Sequence, residues 1–433
     1  MKLKSIGYSI LTFSVVFSSA IPTLAANLIT VGSGLNNPVG ITFGSDGSLY
    51  VAETGTGGNT DRCQTSPFET IEICAGQTSS LTQIDLTNNT QTRIITNFDS
   101  TAYQPSQEQG SGIQELAFDS QGNAYFISGY GGYPGNRDLD LFELAEGTEL
   151  PPQQTIVGLP IEDPTQLLDT PDLGKLFKVN LATQELTEIF DFALYEQLNN
   201  LDGSDYNSYP FAIAIQDDSV YVSDAGANVI YTIGLEGELI DAIVAPTQLV
   251  EDVEVPPNFP IAGGPLELQA VPTGITVGPD GAVYYGELTG FPFPEGEARV
   301  IRINEAGEPE VFLDGFTQII DIAFDQEGNL LVLQFADEAQ WKNSVNGDLK
   351  NLPASAIKVT PDGERITIAS EGIFSATGIQ VSPDGEIYIT NNAIGTNGSV
   401  VRVDDAKSVS EPGTILALFF FGAVVSLKSK ESR

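Results

Sequence analysis

The chain has 433 residues, and its 58 acidic against 18 basic residues give a formal net charge of −40. Such a surface repels nucleic acid and anionic lipid headgroups, favours cations and keeps a protein in solution. With no histidine, Ser-His-Asp and Cys-His catalysis, His-ligated zinc and most haem sites are excluded. The 44 glycines and 25 prolines, with no long helical periodicity, suit short strands and frequent turns.

The first segment, residues 1–26, reads as a secretory signal peptide. Lys2 and Lys4 precede an apolar run from Ile6 to Ala20, and Thr23-Leu24-Ala25-Ala26 offers small residues for cleavage. The mature chain then opens on an apolar strand, Leu28–Val31.

A 14-residue pattern follows and recurs. Gly40–Glu53 (GITFGSDGSLYVAE) is its first copy, and Glu115–Ser128 (ELAFDSQGNAYFIS) its second. Ala212–Asp224 (AIAIQDDSVYVSD) is one residue shorter at the turn. Gly274–Glu287 (GITVGPDGAVYYGE), Asp321–Gln334 (DIAFDQEGNLLVLQ) and Gly378–Asn391 (GIQVSPDGEIYITN) complete the set. Within the first copy, Ile41 and Phe43, then Leu49 and Val51, alternate at the strand period of two. Asp46-Gly47 between them is a tight-turn signal, so each copy is a hairpin.

Third strands follow at Leu81–Asp85, Val229–Ile233, Arg299–Ile303 and Val400–Val403. Fourth strands follow at Thr92–Thr96, Leu239–Ile243, Glu310–Leu313 and Arg365–Ala369. Four antiparallel strands per repeat are the unit of a β-propeller. The sixth repeat lacks a fourth strand, and Leu28–Val31 is spare. The expectation is therefore an all-β, six-bladed β-propeller over residues 27–405, with four-stranded antiparallel blades and the ring closed by the N-terminal strand.

The connections give the ring a polarity. The extra length falls in Thr54–Ser80, Gly129–Gly174, Asp191–Tyr209, Val244–Pro272 and Ala336–Ser355, all of which belong to one face. Long loops gathered on one face suggest function there. Cys63 and Cys74 are the two cysteines, and in an exported chain a disulfide between them is expected; a two-thiolate metal site is the weaker reading.

The last position of the repeat is polar in every copy: Glu53, Ser128, Asp224, Glu287, Gln334 and Asn391. Circular closure would set these around one axis at the long-loop face, with Asn228 and Asn392 nearby. The carboxylates of Glu53, Asp224 and Glu287 with amide oxygens suit a hard cation such as Ca²⁺. The alternative is that these side chains cap strands and bond loop amides. Gly129–Gly135 (GYGGYPG) opens no helix, so a phosphate cradle is not expected.

The body resembles the ScyD/ScyE family, exported propellers named from the cyanobacterial scytonemin gene cluster. The resemblance rests on Val271-Pro272-Thr273-Gly274, on residues 286–294 (GELTGFPFP) and on residues 316–325 (FTQIIDIAFD). The Gly57-Gly58 loop with Cys63 and Cys74, and Asp224-Ala225-Gly226-Ala227-Asn228, look like this family too. The resemblance implies a propeller outside the cytoplasm and carries over no catalytic residues.

The chain ends in a linker and tail, residues 406–433. Ser410-Glu411-Pro412-Gly413, the uncharged run Thr414–Leu427 and a basic end look like a PEP-CTERM sorting signal. That resemblance implies a cyanobacterial source, recognition by exosortase-type machinery, and transient membrane association through the tail. The apolar run is shorter than the ~20 residues that a stable span needs.

These readings converge on a secreted, periplasmic, cell-surface or matrix propeller. It would bind a small-molecule or extracellular-matrix ligand on the long-loop face, with no nucleic-acid partner. The alternatives are an enzyme or accessory factor in scytonemin-like aromatic pigment assembly, and a metal-dependent lactonase-type hydrolase.

Overall fold

The computed structural model describes residues 27–58, 62–65, 72–151, 160–257, 265–343 and 349–404. The signal-peptide and sorting-tail expectations lie outside the described residues. No helix among the described residues is long and apolar enough to cross a membrane.

The chain forms a six-bladed β-propeller. Each 14-residue repeat supplies the two inner strands of a blade. In blade 1 these are Pro38–Phe43 and Leu49–Glu53, which pair through the Asp46-Gly47 turn, where Gly47 takes φ +77°. Blade 3 shows the plain form: Pro210–Gln216, Ser219–Asp224, Val229–Gly234 and Leu239–Val244 pair in sequence order. The innermost strands of neighbouring blades pack against one another all the way round, the first against the last included.

Blade 6 takes its outer strand from the start of the chain. Asn27–Leu35 pairs antiparallel with Gly398–Asp404, Asn27 opposite Asp404. The expected closure is therefore present, with a longer strand than the sequence suggested.

Between blades the apolar faces interlock. Phe98 of blade 1 meets Phe126 and Phe177 of blade 2 edge-on at 5.3 and 5.7 Å. Tyr284 of blade 4 meets Phe324 of blade 5 at 5.1 Å. Such edge-to-face pairs add about 0.5–1.5 kcal/mol each beyond the area they bury.

The long-loop face departs from plain propeller strands in two ways. In blade 1 the third and fourth strands overrun the blade, as Glu72–Asp85 and Thr90–Gln104, and rise above the ring as a hairpin. Cys63–Thr65 pairs with the far end of this overrun, Glu72–Cys74, and Cys63 is disulfide-bonded to Cys74 directly opposite, with the Cα atoms 4.1 Å apart. Among the described residues the loops also hold three short α-helices: α1 (Leu139–Leu144), α2 (Phe192–Asn199) and α3 (Gln340–Asn343). Asp138 and Asp191 cap the first two by accepting from Leu141 N and Leu194 N.

Candidate functional site

The polar residues that end each repeat sit in a ring at the long-loop face, and all are buried. Their partners are local. The Asn36 backbone N–H donates to Glu53 Oε2 at 2.7 Å, and Tyr209 N–H to Asp224 Oδ1 at 2.6 Å. Thr317 N–H donates to Gln334 Oε1 and Phe374 N–H to Asn391 Oδ1, each at 2.8 Å. In these four blades the side chain ending the second strand holds the backbone that enters the first. The repeat position is a latch that fixes the loop to its own blade.

The other two do related work. Ser128 Oγ donates to Asp172 O at 2.7 Å, and Glu287 is bound by Arg299 through Nε at 2.6 Å and Nη2 at 2.8 Å. Arg93 binds Glu53 in the same two-pronged way, at 3.0 and 2.7 Å. Asn228, at φ +54°, donates to Asp202 Oδ2 and accepts from Val271 N. Asn392, at φ +51°, is exposed beside Asn391, whose Oδ1 accepts its N–H.

The expected three-carboxylate cation site is not formed. Each of Glu53 and Glu287 has an arginine neutralising it, which removes the repulsion a cation would have relieved. Asp224 accepts from Tyr209, Gly226 and Ala227 N–H groups and from Ser208 Oγ. Among the described residues, the three metal-ligating groups whose donor atoms come within 4.8 Å of one another are Cys63, Glu72 and Cys74, and there both sulfurs are in the disulfide.

One residue further along, the picture changes. Successive side chains on a strand point to opposite sides. The residue just before each repeat therefore turns to the axis: Val39, Gln114, Phe211, Thr273, Ile320 and Thr377 all line one central pocket of about 460 Å³. Thr54, Leu288 and Phe335, each just after a repeat, line it too. Tyr103, Tyr209 and Phe293 come in from the long loops. Tyr209 is fixed by Gln114 Nε2, which donates to its hydroxyl at 2.8 Å.

Among the described residues, no aspartate, glutamate, lysine or arginine lines this pocket, although the chain is 18% charged. Its polar groups are amides and hydroxyls, from Gln109, Gln114, Asn207, Gln340, Ser111 and Thr273 among others. The sequence reading found this face and missed the pocket by one register position. Those positions differ in type from blade to blade, and their only signal in the chain is a shared place just before the repeat.

A second chamber of about 320 Å³ occupies the channel toward the short-loop face. Its charged lining residues are Glu115 and Asp321, which hold the first position of the repeat in blades 2 and 5. The other four copies have Gly40, Ala212, Gly274 and Gly378 there. A Cβ at Gly40 would collide with the Glu115 side chain, and one at Gly274 with Asp321. Glu115 Oε2 accepts from Ile213 N at 2.9 Å and Asp321 Oδ2 from Ile379 N at 2.7 Å, so each carboxylate ties its blade to the next. Burial pushes both carboxyls up, Asp321 to about 7, and the charge of Asp321 adds to the rise at Glu115.

Burial likewise raises Asp224 to about 6 and Glu287 to about 7, the latter held down in part by Arg299.

No protein-family model matches this chain, and no curated protein does. Among solved structures it is similar to a virginiamycin B lyase from Staphylococcus aureus, at 13% identity over 88% of this chain and 99% of that one, with a TM-score of 0.42. It is similar to a putative gluconolactonase at 10% identity, covering 88% and 93%, with a TM-score of 0.45. It is similar also to a glucose dehydrogenase at 14% identity, covering 87% and 99%, with a TM-score of 0.46.

Proposed function

We propose that this protein is an exported propeller that binds a small uncharged organic ligand in the central pocket of its long-loop face. The observation that carries the reading is the lining: described residues from all six blades, none of them charged, in a protein of net charge −40. Apolar and aromatic walls with a few fixed amides are what small-molecule pockets are made of. A charged ligand would leave its charge unpaired there, which is costly. The Cys63–Cys74 disulfide supports the exported part of the reading, since such bonds persist in oxidising compartments.

The aromatic side chains favour one of the alternatives over the other. Tyr103, Tyr209, Phe211 and Phe293 offer ring faces to a planar ligand, which fits an accessory role in aromatic pigment assembly. Of the carboxylates expected to hold a lactonase-type metal on the axis, Glu53 and Glu287 are bound to arginines instead.

The test uses the single tryptophan. Trp341 follows Gln340, which lines the pocket. Titration with neutral aromatic compounds should change its emission saturably, and equally sized anionic analogues should not. Saturable binding of the anions with none of the neutral compounds would overturn the reading.

A further inference from the structure

We infer that the loop between α2 and blade 3 is a binding site for a hard divalent cation such as Ca²⁺, built around Glu196. This site borders the ligand pocket at Asn207 but does not rest on that reading.

Glu196 lies near the end of α2 and is 1% exposed. Neither of its carboxylate oxygens has a partner at hydrogen-bond geometry. The Asn207 backbone N–H relieves its charge only in part, while the charges of Asp224 and Asp202 act against it. No ion pair to Glu196 exists among the described residues, whereas Glu53 and Glu287 each have their arginine. Burial, with the charges of Asp224 and Asp202, pushes its carboxyl up to about 9, so at neutral pH the group either holds a proton or is met by a cation that displaces it.

Two further oxygens share the condition. The side-chain Oδ1 atoms of Asn200 and Asn207 are buried and also lack partners. All three residues belong to one short stretch that folds over the start of blade 3. Asn200 caps α2 at φ +38°, its N–H bonded to Glu196 O and its Nδ2 to Ser204 O at 2.9 Å. Asn228 Nδ2 ties Asp202 to blade 3 at 2.8 Å, and Ser208 Oγ ties the stretch to Asp224 at 2.8 Å.

The unmet groups are thus a carboxylate and amide oxygens, all acceptors. An anion or a neutral hydrogen-bonding ligand would need donors here. A hard cation takes a mixed set of carboxylate and amide oxygens. Glu196 supplies charge, Asn200 and Asn207 supply amide oxygens, and Asp202 and Asp224 add negative field. Ca²⁺ bound there would pin the loop that carries Asn207 and Tyr209 to the pocket wall.

Because the whole surface is acidic, the test must separate this site from general cation association. Terbium, a Ca²⁺ mimic, should show tyrosine-sensitised luminescence, since Tyr231 and Tyr195 lie in the same cluster as Glu196. Ca²⁺ should displace the signal, and millimolar Ca²⁺ should raise the melting temperature by several degrees over chelator. In Glu196→Gln, luminescence and the Ca²⁺-dependent rise should both be lost, while the chelated variant melts at or above chelated wild type. A Glu267→Gln control on the exposed surface should behave as wild type. The inference is overturned if wild-type melting is unchanged by Ca²⁺, or if Glu196→Gln keeps the full response.

Discussion

Glu115 and Asp321 hold the same repeat position three blades apart and line the same chamber of the channel, and the charge of Asp321 raises the cost of ionising Glu115. Each is accommodated by a glycine on the preceding blade and hydrogen-bonded to the blade that follows. At this position blades 2 and 5 therefore play the same role.

This pair predicts a pH dependence. A carboxyl whose pKa is higher folded than unfolded makes the native state bind more protons, so stability falls as pH rises between the two values. For Asp321 that window runs from the ordinary 3.8 to about 7. Glu115→Gln should relieve the repulsion and keep an acceptor for Ile213 N. The variant should gain roughly 1–2 kcal/mol at pH 8, little or nothing at pH 4, and show a flatter profile between. Thermal melts across that range measure it; an equal gain at both pH values would count against the pairing.

The ligand pocket predicts a loss without unfolding. Phe211 lies at the axis and is only half-buried, so Phe211→Asp should leave the blades intact. It should weaken binding of neutral aromatic compounds at least tenfold, ~1.4 kcal/mol. Trp341 emission measures the affinity and the melting curve verifies the fold.

The latches predict a compensating double variant. Glu53 is fully buried, and Arg93 neutralises it from a more open position. Arg93→Met should leave a buried charge unpaired and cost about 3 kcal/mol. Adding Glu53→Gln removes that charge and should recover most of the loss. Denaturant melts of the single and double variants decide it, and strictly additive losses would rule the idea out.

The disulfide closes a short loop at the far end of the blade 1 overrun. Cys63→Ser with Cys74→Ser should lower stability by up to about 3 kcal/mol. The effect should concentrate in the hairpin that carries Tyr103 to the pocket, so hydrogen exchange there should rise more than in blades 3 to 6.

Much of this architecture was legible in the chain. The Asp46-Gly47 type of turn and period-two alternation gave the hairpins, and the missing outer strand of the sixth repeat pointed to Leu28–Val31. The overrun of blade 1 was not legible, because Cys74–Gly76 and Ser100–Ala102 pair outside any repeat. The helix α2 is two turns long and amphipathic only weakly, so it was hidden within a loop. At the site, the conspicuous residues were the polar ones at the end of each hairpin, and these are spent on loop backbone. The pocket belongs to their neighbours, which differ in type from blade to blade and so make no repeat. Glu196 was illegible for another reason: nothing in the chain around it shows that the fold withholds its partners.

Asn27 opposite Asp404 also has a meaning for how the molecule comes into being. The outer strand that is synthesised first has no partner until the strand that is synthesised last. Until then an open edge at Asn27–Leu35 invites a foreign strand. A net charge of −40 repels like copies during that interval.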